Sequence, residues 1–286
     1  MVVSYKGDRE MNWRPAHEAH AIERANFSLF FQEEIPAKAL NGAVDSITEK
    51  VLSLGFAPVV PPPPNNVFVV NIGSAVVQPQ VEGRGFQLNR SGELIEELIF
   101  QKGFIAYSTT RYTRWKDVIG RIADLISPVA EKYISISNVM SLKLEYYDRF
   151  VFEGEPGLAD FGGALSAGSK YLPEFYRDMK DLWHSHVGYF VPAKGGYKRL
   201  ININVDALDV VPKGAEPTDP KNSRRSVGIY TMAEDRFWSE IPPVQPSSMR
   251  EILTFADEMH LALKQTLAEV ISPPLVDSIS LNPKEG

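Results

Sequence analysis

The feature that most restricts the fold is an alternating stretch at residues 137–154, SNVMSLKLEYYDRFVFEG. Successive side chains of a β-strand point to opposite faces, so this pattern predicts a long strand with one apolar face. The apolar positions are Met140, Leu142, Leu144 and Tyr146. Lys143, Glu145 and Tyr147 alternate with them, and we expect that second face to be exposed or to line a groove.

Further strand patterns surround this stretch, separated by short turns. Residues 25–36 form an aromatic-rich candidate that ends at Pro36, and four more candidates follow at 66–77, 85–89, 93–101 and 103–112. A hairpin is predicted over 184–210, turning at 193–196, and a further strand at 226–232. Links this short favour antiparallel neighbours in a meander.

Apolar residues at helical spacing predict several α-helices. They cover residues 37–55, where Gly55 suits a left-handed C-cap, and 248–270, where Ser248 and Glu251 form a capping box. A fresh short helix is expected to start at Ser127-Pro128. Another is predicted near Pro173 within 170–183, with Phe175, Met179 and Leu182 facing inward.

The segment TTRYTRWKDV, residues 109–118, marks a change of structure. The apolar period changes from 2 to 3.6 around Thr113, which predicts an N-cap there and a helix beyond it, with Asp117 near the positive end of the helix dipole. Trp115 lies on the apolar stripe of that helix. We therefore predict that Trp115 is an anchor of the core.

The order of these elements predicts an α+β fold of antiparallel meanders flanked by amphipathic helices. Each half of the chain contains a meander, so two diverged halves are one interpretation, with boundaries at 1–155 and 156–286; a single compact body is the other. Residues 1–20 are expected to be a polar leader. The proline run at 61–64 predicts a stiff connector, and residues 212–226 a polar loop.

Composition limits the possible partners and the cellular location of the protein. The formal net charge is −6, from 36 acidic and 30 basic residues, which argues against general binding of nucleic acid or anionic membranes. The chain has no cysteine, which excludes disulfides and thiolate chemistry. This composition fits a cytoplasmic protein and is also compatible with a periplasmic one. Because no run is long and apolar enough for a membrane span or a signal peptide, we expect a cytoplasmic protein.

No sequence pattern is typical of a catalytic site. The carboxylate pairs Glu33-Glu34 and Glu96-Glu97 are adjacent, so on strands they point to opposite faces, which suits shared acid–base chemistry poorly. The stretch EGRGFQ at 82–87 lacks the third glycine of a dinucleotide fingerprint, and no serine stands in a GxSxG context. We predict no catalytic residue and no cofactor.

Four of the five histidines occur in pairs. His17 and His20 have the spacing of one helix face, and His184 and His186 that of one strand face, so with Glu18 or Asp181 they could bind a metal. Each pair alone is a weak signal, and the sequence does not show whether the pairs meet. We predict ordinary polar histidines and no metal site.

Basic and aromatic residues cluster around the predicted strand-to-helix change. Arginines at a helix N-terminus could hold a phosphate or an acidic partner, while the alternative is a solvated rim of Arg–Glu pairs. Exposed residues of the long strand extend this candidate surface. The predicted ligand-binding or partner-binding residues are Arg111, Tyr112, Arg114, Lys143, Tyr147 and Arg149.

Two motifs resemble the central signature of a sporadically distributed, uncharacterised prokaryotic family of similar length. They are RYTRW at 111–115 before an amphipathic helix, and SLKLEYYDRFVF at 141–152. The segments AIERANFSLFF and HLALKQTLAEV are also similar to that family, whereas Asp148, in place of a more asparagine-like position, and the proline run depart from it. The resemblance implies an accessory role linked to mobile elements or defence, and it transfers no activity or ligand set.

Two functional hypotheses follow from the sequence. The first is a non-enzymatic binding, regulatory or accessory protein that acts through a protein partner or as a homodimer. The alternative is an enzyme or sensor of a small anionic, nucleotide-like ligand, with Arg111, Arg114 and Lys143 converging on one cleft. The acidic total charge and the lack of a recognisable helix-turn-helix argue against a nucleic acid as the partner.

Overall fold

The computed structural model describes residues 12–17, 20–61, 82–193, 196–211, 222–237 and 245–281. The predicted strand at 66–77 lies outside these ranges. So do most of the polar leader, the proline run after Pro61 and residues 212–221 of the predicted polar loop.

The described residues form the α+β fold that the sequence predicts, built on a ten-stranded antiparallel sheet. The strands are β1 (Trp13–Pro15), β2 (Ile22–Phe31), β3 (Ala57–Val59), β4 (Gly83–Arg90), β5 (Glu93–Gln101), β6 (Phe104–Thr109), β7 (Val139–Phe152), β8 (Trp183–Pro192), β9 (Lys198–Val210) and β10 (Arg224–Arg236). The α-helices are α1 (Ala37–Ser53), α2 (Trp115–Leu125), α3 (Ser127–Ile134), α4 (Phe161–Ala164), α5 (Met249–Val270) and α6 (Pro273–Ser278). Short 3₁₀ helices lie at Pro156–Leu158 and Glu174–Arg177.

The order of the strands in the sheet is similar on the two sides of its central pair, β2 and β7. The sheet runs β3-β4-β5-β6-β2-β7-β10-β9-β8, and β1 also pairs with β7. At the centre β2 pairs with β7, with Phe27 opposite Leu144. A meander extends outward on each side, β6-β5-β4 beside β2 and β10-β9-β8 beside β7. The division of the chain at residue 155 stays a prediction.

The helices of the described part pack on one side of the sheet, which we call the helical face. Helix α5 lies on β7 and β10, and α1, α2 and α3 continue the layer. Buried β7 side chains on this face are Leu142, Leu144, Tyr146, Asp148, Phe150 and Phe152. Residues of both halves join one hydrophobic core cluster beneath the helices.

The other side of the sheet, which we call the open face, presents the alternate side chains. On β7 these are Lys143, Glu145, Tyr147 and Arg149, as the alternation of the sequence predicts. Every second residue of β8, from His184 to Pro192, is exposed on the same side. The neighbouring strands add Asn26, Asn204, Asp206 and Tyr230.

The long amphipathic helices are found where the apolar stripes predict them. Helix α1 is followed by Gly55 at a φ of 91°, the left-handed conformation that glycine adopts without strain. Helix α5 begins after Ser248, whose side chain accepts a hydrogen bond from the Glu251 backbone amide. The predicted cap at Thr113 is wrong: the N-cap of α2 is Arg114, and the Thr113 hydroxyl donates a hydrogen bond of 2.6 Å to the Asp117 carboxylate.

The helix predicted near Pro173 is also wrong. Only the 3₁₀ turn Glu174–Arg177 forms, and Phe175 and Leu182, expected to face inward, are exposed. Tyr176 is buried instead, with its ring centroid 6.1 Å from that of Trp183. Apolar spacing over so short a segment does not offset the cost of helix nucleation, so tertiary packing of the aromatic rings decides the local structure.

Candidate functional site

The six predicted binding residues do not converge on one cleft. Tyr112 is buried and Arg114 is exposed, and both line a cavity on the helical face. Lys143, Tyr147 and Arg149 lie on the open face, and Arg111 is exposed in the loop before α2. The set therefore divides between the two sides of the sheet, and its role in binding stays a prediction.

The cavity on the helical face has a volume of about 390 Å³. Its floor is the central sheet, where Tyr146, Asp148 and Thr231 line it. The segments 20–22 and 112–115 form one side, α5 forms the roof, and residues 279–281 after α6 form the end. This volume lies within the range typical of small-molecule sites, about 300–1,000 Å³.

Five rings form a continuous chain of contacts along the cavity wall: His20, Tyr112, Tyr146, His260 and Trp115. The three edge-to-face contacts of the chain have centroid separations between 5.7 Å and 5.9 Å. In the fourth contact, Trp115 stacks on His260 at 4.7 Å. Such contacts add to the stability of each ring position, so the wall is a pre-formed aromatic surface.

Trp115 contacts both the hydrophobic core and the cavity. Its ring is partly buried and packs against the hydrophobic core, in line with the prediction of a core anchor. The same ring also lines the cavity, and its indole N–H donates a hydrogen bond to Asp257 of α5 at 2.6 Å. The segment before α2 is thereby attached to α5, and Trp115 belongs to both the scaffold and the candidate site.

Asp148 is the most unusual group of the cavity. It is 3% exposed, and both of its carboxyl oxygens are buried without a hydrogen-bond partner among the described residues. Burial, and secondarily the negative charge of Glu23, raise the pKa of Asp148 to about 8. A buried polar group without a partner costs stability, and strongly perturbed acids of this kind are concentrated at functional sites of proteins, which makes Asp148 the main candidate residue of the cavity.

The two histidines of the wall are kept neutral by their surroundings. Burial, together with the charge of Lys264, lowers the pKa of His260 to about 4. The His260 Nδ1 shares a hydrogen bond of 2.9 Å with the Tyr146 hydroxyl. Burial and the neighbouring His17 also lower the pKa of His20, whose Nδ1 is buried without a partner in the described part of the chain.

The tyrosines of the wall remain protonated over the physiological range. Burial is the main reason that the pKa of Tyr112 is raised, and Asp148 adds to it. Tyr146 is fully buried, and its pKa is raised well above the usual value. Both hydroxyls are therefore neutral donors and acceptors. At the rim, the cavity is lined by the cationic residues Arg114 and Lys264.

Sequence reasoning identified Tyr112 and Arg114 but missed Asp148 and His260. Asp148 continues the apolar positions of β7 by one step after Tyr146, so an acid on a buried face was visible in the alternation. His260 is brought to the cavity by α5, 114 residues after its partner Tyr146. No local pattern of the sequence carries that relationship.

The open face carries a separate network of polar groups. Lys143 lies 3.3 Å from Glu145, which also accepts a hydrogen bond of 2.6 Å from the Tyr230 hydroxyl. Arg149 pairs with Glu23 at 2.9 Å. A hollow of about 260 Å³ lies here, lined among others by Tyr147, Arg149, Asn204, Asp206 and Tyr230.

The two histidine pairs lie on different faces of the sheet. The rings of His17 and His20 are 4.8 Å apart, and His20 lines the cavity of the helical face. His184 and His186 are exposed on β8 toward the open face. Within the described ranges, no three histidine, aspartate or glutamate residues are grouped so that they could hold a metal ion.

No helix of the described residues has the length and apolar character needed to cross a membrane. The comparisons with protein-family models and with curated proteins found no match for this chain.

Proposed function

We propose that this chain is a non-enzymatic binding protein, of the sensor or regulatory kind, that takes a small molecule into the cavity on the helical face. The observation that carries the proposal is Asp148, a buried carboxyl group with two unpartnered oxygens at the floor of an aromatic cavity. A concave space lined by aromatic and apolar side chains, with a small number of polar groups, is the usual form of a small-molecule site.

The position of the cavity supports this proposal. It lies between the central strand β7 and helix α5, and a hydrogen bond from Trp115 to Asp257 fixes the segment that forms its side. The ring wall is therefore held by secondary structure, and a ligand would meet a surface that needs little rearrangement. Such preorganisation lowers the entropic cost of binding.

A cavity-filling variant tests the proposal. Ile279 lines the cavity, so Ile279→Trp places an indole in the space that the ligand would occupy. Leu261→Trp is the matched control, since Leu261 is 40% exposed on α5 and the same side chain is added in solvent. Both variants and the wild type are screened by thermal unfolding with panels of amines, nucleotides, carboxylates and neutral alcohols.

We expect one of these classes to stabilise the wild type and Leu261→Trp but not Ile279→Trp. Ligand at a hundredfold excess over Kd adds about 2.7 kcal/mol of stability. Circular dichroism of Ile279→Trp establishes that the variant is folded. A screen in which no class stabilises the wild type, or in which Ile279→Trp responds equally, would overturn the proposal.

A second candidate function is self-association through the open face. Tyr147, 39% exposed, and the exposed Phe190 lie on it, and it also holds buried polar atoms without partners in the described part, on Arg24, Asn26 and Asn204. The side-by-side charges of Lys143 and Glu145 make this face suited to a second copy of itself, because a two-fold interface must be self-complementary.

Light scattering on the purified protein at micromolar concentrations tests the dimer. We expect Tyr147→Glu to weaken the association of subunits, and Leu261→Glu, which adds the same charge to the outer side of α5, to leave it unchanged. A wild-type protein that is monomeric at every concentration contradicts this second candidate. The small-molecule proposal would be unaffected by that result.

A cytoplasmic location remains part of the proposal. The absence of cysteine from the sequence is consistent with a reducing compartment. Recovery of the protein in a periplasmic fraction would contradict this location.

A further inference from the structure

We infer that the ligand of the cavity is a small organic amine, bound as its ammonium ion with the N–H groups directed at Asp148 and the apolar body against the ring wall. This inference rests on the proposed small-molecule function of the same cavity and adds the chemical class of the ligand.

The first support is that the cavity has buried polar atoms without a partner. Both oxygens of Asp148 and the Nδ1 atom of His20 are buried and unpartnered within the described residues. Both residues line the cavity, and the strand register places Ile22, two residues after His20, directly opposite Asp148. Once Asp148 is ionised, an ammonium group, with three N–H donors and no acceptor, matches its two oxygens.

The second support is that no cation of the described residues neutralises Asp148. The groups around it are Glu23 and His20 from the segment before and within β2, Tyr112 and Arg114 from the loop before α2, and His260 and Lys264 from α5. β10 contributes the uncharged Ile229 and Thr231. Arg114 and Lys264 line the rim, and neither lies within hydrogen-bond distance of the carboxyl oxygens.

The third support is the chemistry of the wall. Aromatic rings offer apolar surface to the body of an amine and also attract a nearby cation. Tyr112, Tyr146 and Trp115 all line the cavity. An anionic group at the floor would instead lie against a buried carboxyl. The small anionic ligand that the sequence offers as an alternative could therefore bind only at the rim, beside Arg114.

Binding of an ammonium ion to this carboxyl group has a pH signature. The pKa of Asp148, raised to about 8, means that the free cavity holds a protonated acid at neutral pH, and the ammonium ion displaces that proton. Affinity is therefore low in acid, rises with pH and levels off above the pKa. From pH 6 to pH 8 the expected gain in affinity is about 50-fold.

Titration calorimetry with benzylamine, butylamine, benzyl alcohol and benzoate tests the inference between pH 6 and pH 8. We expect the amines to bind more tightly than the alcohol or the carboxylate, with an affinity that rises with pH. Repeating the titration in phosphate and in a buffer with a larger ionisation enthalpy should show release of a proton. The variant Asp148→Asn is expected to lose at least tenfold in amine affinity and the dependence on pH.

Glu145→Gln is the control, since Glu145 is also a buried acid of β7 but faces the open side. It should bind amines as the wild type does. Amines that do not bind, or that bind Asp148→Asn and the wild type equally, would overturn the inference. If the alcohol or benzoate then binds the wild type and not Ile279→Trp, the small-molecule function stands and only the ligand class is wrong.

Discussion

The indole of Trp115 lies parallel to the imidazole of His260, with ring centroids 4.7 Å apart and an angle of 10° between the planes. The same indole donates a hydrogen bond to Asp257, one helical turn before His260. These two contacts connect the first turn of α2 to the middle of α5. They therefore set the position of the cavity wall as well as the packing of the two helices.

Two replacements of Trp115 should separate the contributions that the ring stack and the hydrogen bond make to stability. Trp115→Phe keeps a stacked ring and loses the N–H donor, so we expect a loss of about 1 kcal/mol in the free energy of unfolding. Trp115→Ala removes both contacts and most of the buried ring, with an expected loss of about 3 kcal/mol. Urea unfolding measures both values.

A double-mutant cycle identifies the source of the loss. Asp257→Ala removes the acceptor without touching the stack, so it should add little to Trp115→Phe. If the effects of Asp257→Ala and Trp115→Phe add fully, the hydrogen bond between these residues contributes nothing, and the loss in Trp115→Phe has another origin.

His260 should make the protein less stable in acid. Its pKa is about 4 when folded and near 6.5 when unfolded, so the unfolded chain takes up a proton that the folded chain refuses. The stabilising contribution is complete above pH 6.5 and is lost as the pH falls through 4, with a total on the order of 3 kcal/mol. Around this ring lie Tyr146, Trp115, Asp257 and Lys264.

Two variants test whether the imidazole of His260 causes this loss of stability in acid. His260→Phe keeps an aromatic ring and cannot titrate, so its unfolding free energy should change less between pH 6.5 and pH 4 than that of the wild type. Tyr146→Phe removes the hydroxyl partner but keeps the imidazole, and it should retain the acid slope. Equal slopes in the wild type and His260→Phe would show that another group causes the loss.

Asp148 should have the opposite effect, a loss of stability as the pH rises from 3.8 to 8. Its folded pKa, about 8, is above the unfolded value of 3.8, so the folded chain binds the extra proton. The contribution of this group to stability is then highest below pH 3.8 and declines as the pH rises to 8. Over that range the carboxyl ionises in the unfolded chain, whereas burial keeps it protonated in the folded chain. Asp148→Asn should be more stable than the wild type at pH 7 by an amount on the order of 4 kcal/mol.

Unfolding curves at pH 5, 7 and 8 measure this difference. The gap between Asp148→Asn and the wild type should widen with pH, and Glu145→Gln, on the open face of the same strand, should show no such gain. A variant that is less stable than the wild type at pH 7 would mean that the carboxyl has a favourable partner. A gain in stability with a loss of amine binding is the pattern expected of a functional group.

The fold was predictable where its periodic patterns are long. The alternation through β7 assigned Lys143 and Tyr147 to one face and Leu144 to the other, and the stripe of α5 with its Ser248 cap defined the last long helix. Each of these patterns is local, and each extends over many residues. The short segment at 170–183 had too few periodic positions to decide between a helix and an irregular chain.

The candidate site was predictable only in part, because it is assembled from distant segments. Tyr112 and Arg114 were named from the basic-aromatic cluster, but Lys143 was expected beside them and lies on the opposite face. Which helix covers which strand is not encoded in any local spacing. The contact between Trp115 and Asp257, 142 residues apart, is of this kind.

The buried ion pair of Arg199 and Asp235 gives a final prediction on the helical face. Two hydrogen bonds of 2.7 Å and 2.8 Å join the guanidinium to the carboxylate, and neither residue is more than 6% exposed. Burial raises the pKa of Asp235 by more than Arg199 lowers it. The charged form of Asp235 therefore depends on its hydrogen bonds to Arg199. Arg199→Met leaves that charge unpaired and should cost about 3–5 kcal/mol in urea unfolding.

The pH dependence and a control separate this cost from simple loss of packing. Without Arg199 the pKa of Asp235 should rise further, so the deficit of Arg199→Met should shrink as the pH is lowered and the acid is protonated. The double variant Arg199→Met with Asp235→Leu should recover much of the loss. Arg14→Met is the control, because the ion pair of Arg14 and Glu153 is 63% and 56% exposed, so its loss should change the stability little. A deficit of Arg199→Met that is constant with pH would show that packing, and not the unpaired carboxylate, is responsible.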